Sequence, residues 1–402
     1  MDEKTANSIL SKSREISEKL IEYRHKLHSV AELGFDLPET VALVKDVLGD
    51  FDCKIRKCGR SGIITSLGSG TGRTLLFRAD MDALPITEES GLPYAATNGN
   101  MHACGHDIHT AMLLGAFEIL YDYREKINGR VLFAFQPAEE TLEGASDMLA
   151  NGLLDGGVDM AMMIHVISGT ELPTGYTVVS SPGVSAPSSD FFKITVHGKS
   201  AHGGMPTDGK DALACSARIT LLISDIQALG FNFSDQIILS VGTLSAGAAP
   251  NVIADRAELC GTVRSFSKQT RDRVIARISE ISSGVAALFG CRVDFEITSS
   301  CPPLKNDPIA SEKAYRYALD LFGRDFCDLS ENLGKSGSGG AEDFAYIGSE
   351  VPSVTVAMSA GSRSNGFDKP LHNSKTVLSD DVIRYGAAYL AYSALSYFAE
   401  KD

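Results

Sequence analysis

The chain has 402 residues, 44% hydrophobic and 22% charged, a globular balance that excludes a disordered polypeptide and leaves room for two or three domains. Its 37 Lys and Arg face 51 Asp and Glu, and a net charge of −14 argues against a nucleic-acid partner, which would be held through its phosphates. No run reaches the roughly 18 uncharged apolar residues that span a bilayer, and residues 1–19 lack the apolar core of a signal peptide. No membrane partner is therefore expected, and the eight cysteines read as mostly reduced thiols of a cytoplasmic protein.

Residues 8–48 carry apolar positions at helical spacing (Ile9, Ile16, Leu20, Leu27, then Val41, Val44, Val47 and Leu48), broken at Leu37-Pro38. Two short apolar runs follow, 62–67 and 74–77, and the glycine-rich stretch 68–72 between them predicts a hairpin turn. It is not a phosphate loop, because no helix follows and no Gly-Lys-Ser/Thr closes it. A helix over about 110–123, a strand at 131–136, a helix around 143–151 and a strand at 160–166 then alternate. That alternation predicts βαβ units in a largely parallel sheet, which gathers function beyond the carboxyl ends of its strands.

Near Ser181-Pro182-Gly183 the texture changes. A strand at 191–197, a helix at about 211–229, strands at 237–242 and 257–264, a helix at 271–289 and a strand at 292–298 follow the ferredoxin-like order β-α-β-β-α-β. Past Cys301-Pro302-Pro303 the chain returns to helix, a strand at 352–358 and a last apolar helix at 382–397. The expected fold class is α/β, with a mostly parallel central sheet in a domain made of 1–184 and 303–402. Residues 185–302 form a smaller α+β domain inserted into it.

Four places carry candidate chemistry. Cys104 and His106 stand two apart on a Gly-bearing loop, and thiolate and imidazole both suit zinc and other borderline metals; a buried loop cysteine beside a helix cap is the alternative. Glu139 and Glu140 follow a buried strand, where adjacent carboxylates are costly to desolvate unless paired or metal-bound. A solvated first helical turn would also favour acids. His165 ends one strand, and Asp80 and Asp82 end another; each alone could be packing or turn chemistry. Together they converge on one edge of the predicted sheet. A two-metal hydrolase needs such a convergence, with ions about 3.5–4 Å apart to activate water and polarise a carbonyl. Zinc nucleoside deamination is excluded, since neither H-x-E nor P-C-x-x-C is present.

The runs Arg78-Ala79-Asp80-Met81-Asp82-Ala83-Leu84-Pro85, His102 to Asp107 and Gln136-Pro137-Ala138-Glu139-Glu140 resemble the M20 metallopeptidase/amidohydrolase family. The closest branch holds hippurate hydrolases, N-acyl amino-acid amidohydrolases, indole-acetyl-amino-acid hydrolases and N-acetyl-diaminopimelate deacetylases. Arg24-His25-Lys26-Leu27-His28, Gly198-Lys199-Ser200-Ala201-His202, Pro250-Asn251-Val252-Ile253, Gly340-Ala341-Glu342-Asp343-Phe344 and Leu371-His372-Asn373 extend the likeness over nearly the whole chain.

The resemblance implies a metal-dependent exopeptidase-like catalytic domain and an inserted dimerisation or lid domain. It implies two divalent metal ions per subunit (Zn, Mn, Ni or Co), held by Cys104, His106, Glu140, His165 and His372. It makes Glu139 the general base and Asp82 a group that orients a ligand, while Asp80 stands where other branches place a metal-binding His. His202 becomes the oxyanion donor, reaching the partner subunit's site in a homodimer. Asn251 and Arg264 become substrate contacts, Arg264 by the planar fork that suits a carboxylate, although a strand-end salt bridge would serve it as well. Glu342, after the Gly/Ser-rich run 336–340, is placed near the site. The implied activity is hydrolysis of N-acyl amino acids by metal-activated water. The alternatives are a dipeptidase or metallocarboxypeptidase of the same family, or a catalytically silent metal-binding dimer.

His25, His28, His102 and His109 read as capping, salt-bridging or packing residues, and the cysteines other than Cys104 as thiols or small hydrophobes. Thr207, where the branch commonly has His, is a departure.

Overall fold

The computed structural model describes residues 3–70, 72–226, 230–231, 235–333 and 340–400. The chain forms two compact units, one of residues 1–185, 305–337 and 343–402, the other of 186–304 and 338–342.

In the first unit the early helical pattern resolves into α1 (Glu3–Glu15), α2 (Ser17–Val30) and α3 (Pro38–Gly49). Pro38 opens α3, where its missing N–H would have had no helical partner. Strands β1 (Arg56–Cys58), β2 (Gly62–Gly68), β3 (Thr74–Asp80), β4 (Arg130–Gln136), β5 (Met160–Ile167), β6 (Thr177–Val179), β15 (Cys327–Leu329) and β16 (Ser353–Ser359) build one sheet in the order β1-β2-β4-β3-β5-β16-β6-β15. β3 is parallel to β4 and to β5, and β5 is parallel to β16, so these four carboxyl ends point the same way.

All seven residues of β3 are buried, so its apolar residues Leu75, Leu76 and Phe77 need not alternate with polar ones. Alternation sorts the side chains of the central strands. Leu75, Phe77, Phe133, Phe135, Met162 and Ile164 enter the main core with α4 (His106–Asp122) and α10 (Val382–Ala399), and α8 (Pro308–Phe322) packs beside α10. Arg78 touches both Gln136 and Met163 on the opposite side, where α5 (Gly144–Ala150) and α9 (Phe344–Glu350) lie.

The hairpin expected over 68–72 is not formed. β4 lies between β2 and β3, antiparallel to the first and parallel to the second. The apolar body of β4, Val131 to Phe135, takes the slot covered on both faces and displaces β2 toward the edge. Residue 71 of that stretch lies outside the described residues, as do 227–229 of the expected helix and 336–339 of the Gly/Ser run. Among the described residues no helix is long and apolar enough to cross a membrane.

β7 (Gly183–Ala186) and β14 (Leu304–Asn306) stand where the chain leaves and re-enters the first unit. In the second unit β8 (Ser189–His197), β10 (Ile237–Ala246), β12 (Arg256–Ser265) and β13 (Arg292–Cys301) pair antiparallel in the order β10-β12-β8-β13. α6 (Ala212–Ser224) and α7 (Lys268–Leu288), capped by Asp211 and Ser267, cover Phe192, Ile194, Val196, Leu259 and Val263. This is the ferredoxin-like arrangement. A short ribbon pairs β9 (Ala201–His202) with β11 (Val252–Ile253).

Candidate metal centre

Three neighbouring parallel strands deliver side chains to one place. β3 ends at Asp80, two residues before Asp82; β4 runs on into Glu139 and Glu140; β5 carries His165 near its end. A fourth contribution is the turn into α4, whose first residue is His106. Gly105 sits there with φ 85°, and a Cβ on it would fall 2.4 Å from Val166 Cγ2, so glycine alone lets Cys104 and His106 flank this turn. His372 enters on the segment after β16, anchored by its N–H to the carbonyl of Ala103 at 2.9 Å.

Cys104 Sγ lies 3.5 Å from His165 Nε2 and 3.2 Å from His372 Nε2. Glu140 Oε1 stands 3.6 Å from His372 Nε2 and 3.9 Å from His106 Nε2, and Glu139 Oε2 is 4.0 Å from the same His106 nitrogen. The structure therefore brings Cys104, His106, Glu139, Glu140, His165 and His372 into one cluster. The sets Cys104–His106–His165, Cys104–Glu140–His372 and His106–Glu139–Glu140 each keep their ligand atoms within 4.8 Å of one another.

Asp82 organises this cluster from behind. Its carboxylate accepts the backbone N–H of Glu139 at 3.0 Å and of Glu140 at 3.2 Å, and its carbonyl accepts from His106 Nδ1 at 2.8 Å. A proton of His106 is thereby placed on Nδ1 and Nε2 points into the cluster; against burial, the Asp80 carboxylate 3.7 Å from Nε2 and the bond to Asp82 hold the imidazole pKa well above its ordinary value. His165 is set the same way, with Nδ1 donating to the carbonyl of Val166 at 2.7 Å.

His106 Nε2 and Glu140 Oε1 are buried and have no hydrogen-bond partner. Two orphaned atoms aimed into a cluster of Cys, His and Glu fit ligands of a metal ion. The electrostatics agree. Burial, reinforced by Asp82 and Asp80, raises the Glu140 carboxyl above its ordinary range against the pull of His106 and His372. Burial likewise pushes the Cys104 thiol far up, with the Glu140 and Glu139 carboxylates adding to it. Burial presses the His165 imidazole down to about 3, so it is neutral at pH 7. A dication bound here would supply the charge that reverses the first two effects and would favour the thiolate of Cys104. Two non-glycine residues here, His372 (φ 63°) and Ala138 (φ 55°), hold the left-handed conformation, a strain of about 1–3 kcal/mol each.

In the second unit His202 is exposed on the β9–β11 ribbon, directly opposite Val252, and Asn251 joins it through the Gly203 N–H on the Asn251 carbonyl at 2.7 Å. The N–H of Gly204 donates to His202 Nδ1 at 3.1 Å. Arg264 lies elsewhere in that unit, half-buried on β12 opposite Ile238 of β10.

The sequence pattern of Peptidase family M20/M25/M40 matches residues 76–396. The chain belongs to this peptidase family. The N-acetylcysteine deacetylase of Bacillus subtilis (strain 168) is 31% identical over 385 residues, covering 94% of this chain and 96% of that protein. Thermostable carboxypeptidase 1 of Saccharolobus solfataricus is 32% identical over 394 residues, covering 95% and 96%. The crystal structure of the Bacillus subtilis YXEP protein, described as a dinuclear metal binding peptidase from the M20 family, matches with a TM-score of 0.78 at 29% identity, over 96% of this chain and 99% of that one.

In this M20 protein several side chains that sequence reasoning passed over hold the cluster in place. Arg78, fully buried, donates to Asp80 at 2.7 Å, to Asp343 at 2.7 Å and to Gln136 at 2.9 Å. Asp343 also accepts the N–H of Ala145 at the start of α5, which pins the returning segment. Asp107, beside His106, takes Arg24 at 3.0 Å and His28 at 2.8 Å, and so ties α2 to α4. Arg78 and Asp343 lie inside the quoted motifs, which was the available signal; Arg24 and His28 stand too far away in sequence for spacing to reveal their partner.

Proposed function

We propose that this protein is a dinuclear metal-dependent amidohydrolase acting on N-acyl amino acids, with Cys104, His106, Glu140, His165 and His372 holding two divalent ions from the group Zn, Mn, Ni and Co. The observation that carries the reading is that His106 Nε2 and Glu140 Oε1, both buried and 3.9 Å apart, make no hydrogen bond in the cluster where Cys104 Sγ lies between two imidazoles. Bound ions lower the pKa of a water and polarise the amide carbonyl. Glu139, its oxygen 4.0 Å from His106 Nε2, takes the water's proton as general base and returns it to the leaving amine. Asp82 keeps Glu139 in that place through its backbone N–H.

The first unit is the catalytic domain and the second the dimerisation and lid domain of a homodimer. Exposed Ile238 and Leu244 on β10 and Leu213 and Leu221 on α6 support that surface as one that pairs with a second copy. His202 meets the developing oxyanion in the partner subunit's site; with Nδ1 accepting from Gly204, its proton sits on Nε2 and is available to donate. Asn251 and Arg264 receive the carboxylate of the substrate. A cytoplasmic location suits cysteines that form no disulfide among the described residues.

The relative that is an N-acetylcysteine deacetylase supports an acyl amino acid as substrate, and the carboxypeptidase relative supports the second reading, a peptidase. Apo-protein reconstituted with each of the four metals, assayed on N-acetyl amino acids, hippurate and free dipeptides, separates the two. Cleavage of the acylated compounds is expected; hydrolysis confined to dipeptides with a free amine would replace the leading reading with the second.

A further inference from the structure

His109 lies one turn into α4, and both of its ring nitrogens are engaged. The N–H of Val166 donates to Nε2 at 2.8 Å, and an amide N–H can only donate, so Nε2 must be unprotonated. The proton is then on Nδ1, which stands 2.6 Å from Asp80 Oδ1. Asp80 is itself buried and held by Arg78. His109 is thus a neutral ring of fixed tautomer with no lone pair left over. It cannot ligate an ion, although Asp80, His106 and His109 have the residue types and spacing of a metal triad.

What it holds is the strand end that carries His165. β3 pairs with β5 only as far as Arg78 opposite Met163. Beyond that point the polar groups of Val166 on this side are taken by two imidazoles. His109 accepts from its N–H, and His165 Nδ1 donates to its carbonyl at 2.7 Å. We infer that His109 is a positioning residue that acts through the Val166 peptide to fix the ring of His165, so that a bare Nε2 faces Cys104 Sγ. The chain Arg78–Asp80–His109–Val166 then sets one metal ligand without touching the ion. This rests on the metal reading proposed above.

Two near-isosteric variants separate the two ends of the ring. His109→Asn keeps a donor for Asp80 and loses the acceptor for Val166 N–H; His109→Gln reaches the Nε2 position with its carbonyl and keeps that acceptor. Apo-proteins are titrated with Co(II) against a chromophoric chelator, and their melting is followed by circular dichroism. Binding of one of the two ions should weaken by about 10–100-fold in His109→Asn, the range for groups that orient a ligand, and stay near wild type in His109→Gln. Wild-type affinity for both ions in folded His109→Asn would overturn the proposal, and so would equal losses in the two variants. If His109→Asn does not fold, the unaltered protein decides the matter. Spectra of 15N-histidine-labelled protein should show a neutral ring protonated at Nδ1, unchanged when Zn(II) is added. A ring protonated at Nε2, or one whose Nε2 signal moves to the metal-bound position, would refute it. Failure of the wild type to take up two ions would appear in the same titration, and would remove the metal reading and this inference with it.

Discussion

The carbonyl oxygen of Asp82 lies 2.8 Å from Nδ1 of His106, while the carboxylate of the same residue caps the N–H groups of Glu139 and Glu140. One residue therefore holds the Nδ1 proton of one proposed ligand and the backbone of another, together with that of the proposed general base. Backbone carbonyls survive mutation and carboxylates do not, so the two roles can be split. Asp82→Ala should keep the His106 tautomer but release Glu139 and Glu140, weakening metal binding by about 10–100-fold and lowering kcat by a similar factor. Chelator competition and steady-state rates measure the two effects. Unchanged values for both would show that the capped backbone does not matter.

Glu139 is expected to work by basicity, its Oε2 standing 4.0 Å from His106 Nε2. Glu139→Gln preserves shape and the N–H bond to Asp82 but removes the proton acceptor. Turnover should fall by about 10²–10⁴-fold or more, while metal content after dialysis stays at the wild-type level. A variant with wild-type kcat would assign the proton to another group.

Cys104 Sγ stands between His165 and His372, so its removal takes a donor shared by two ligand sets. Cys104→Ala should bind less metal per subunit than wild type by elemental analysis, with the loss greatest at low free metal. Equal stoichiometry across that titration would exclude the thiolate as a ligand.

How much of this could be read from the chain depends on how local each signal is. The alternation of β3, β4 and β5 with α4 and α5 is written in short apolar runs, and the Cys104/His106 spacing and the Glu139-Glu140 pair are adjacent in sequence. The order of strands is not local. The glycines at 68–72 predict a hairpin, but β4 carries the stronger apolar body and separates β2 from β3 from sixty residues away. His372 comes to Cys104 across 268 residues, from a polar segment with no periodicity, and only its family resemblance pointed to it. His109 is a further case: its place by an apolar helix predicts capping, salt bridging or packing, and the ring meets Asp80 Oδ1 and the Val166 N–H, partners that helical spacing does not name.

The base of the cluster should give a pH dependence of stability. Burial by itself would lower the His28 imidazole, but the Asp107 carboxylate and the bonds to Asp107 and Glu88 outweigh it, even against Arg24, and hold it at about 9. A pKa raised above the unfolded value near 6.5 stabilises the folded state fully below that value, and the gain is lost as pH rises through 9. The shift corresponds to roughly 3 kcal/mol. Urea midpoints between pH 6 and 10 should fall across this window, and His28→Gln should flatten the fall while lowering the plateau at pH 6. The same slope in both proteins would place the titration elsewhere.

The last prediction separates the two subunits. If His202 serves the partner subunit's site, a heterodimer of His202→Ala with Glu139→Gln holds one complete site. The His202→Ala subunit keeps Glu139 and all five proposed ligands, and it borrows the intact His202 of the other. The second site lacks both groups. Each parent homodimer should be nearly inactive, since one lacks its oxyanion donor and the other its base. Co-expression with two affinity tags and sequential purification yields verified heterodimers, whose kcat per complete site should approach wild type with KM little changed. The exposed β9–β11 ribbon, which places His202 beside Asn251, allows such an exchange without disturbing the core of the second unit. Verified heterodimers no more active than their parents would return His202 to its own subunit or remove it from the reaction.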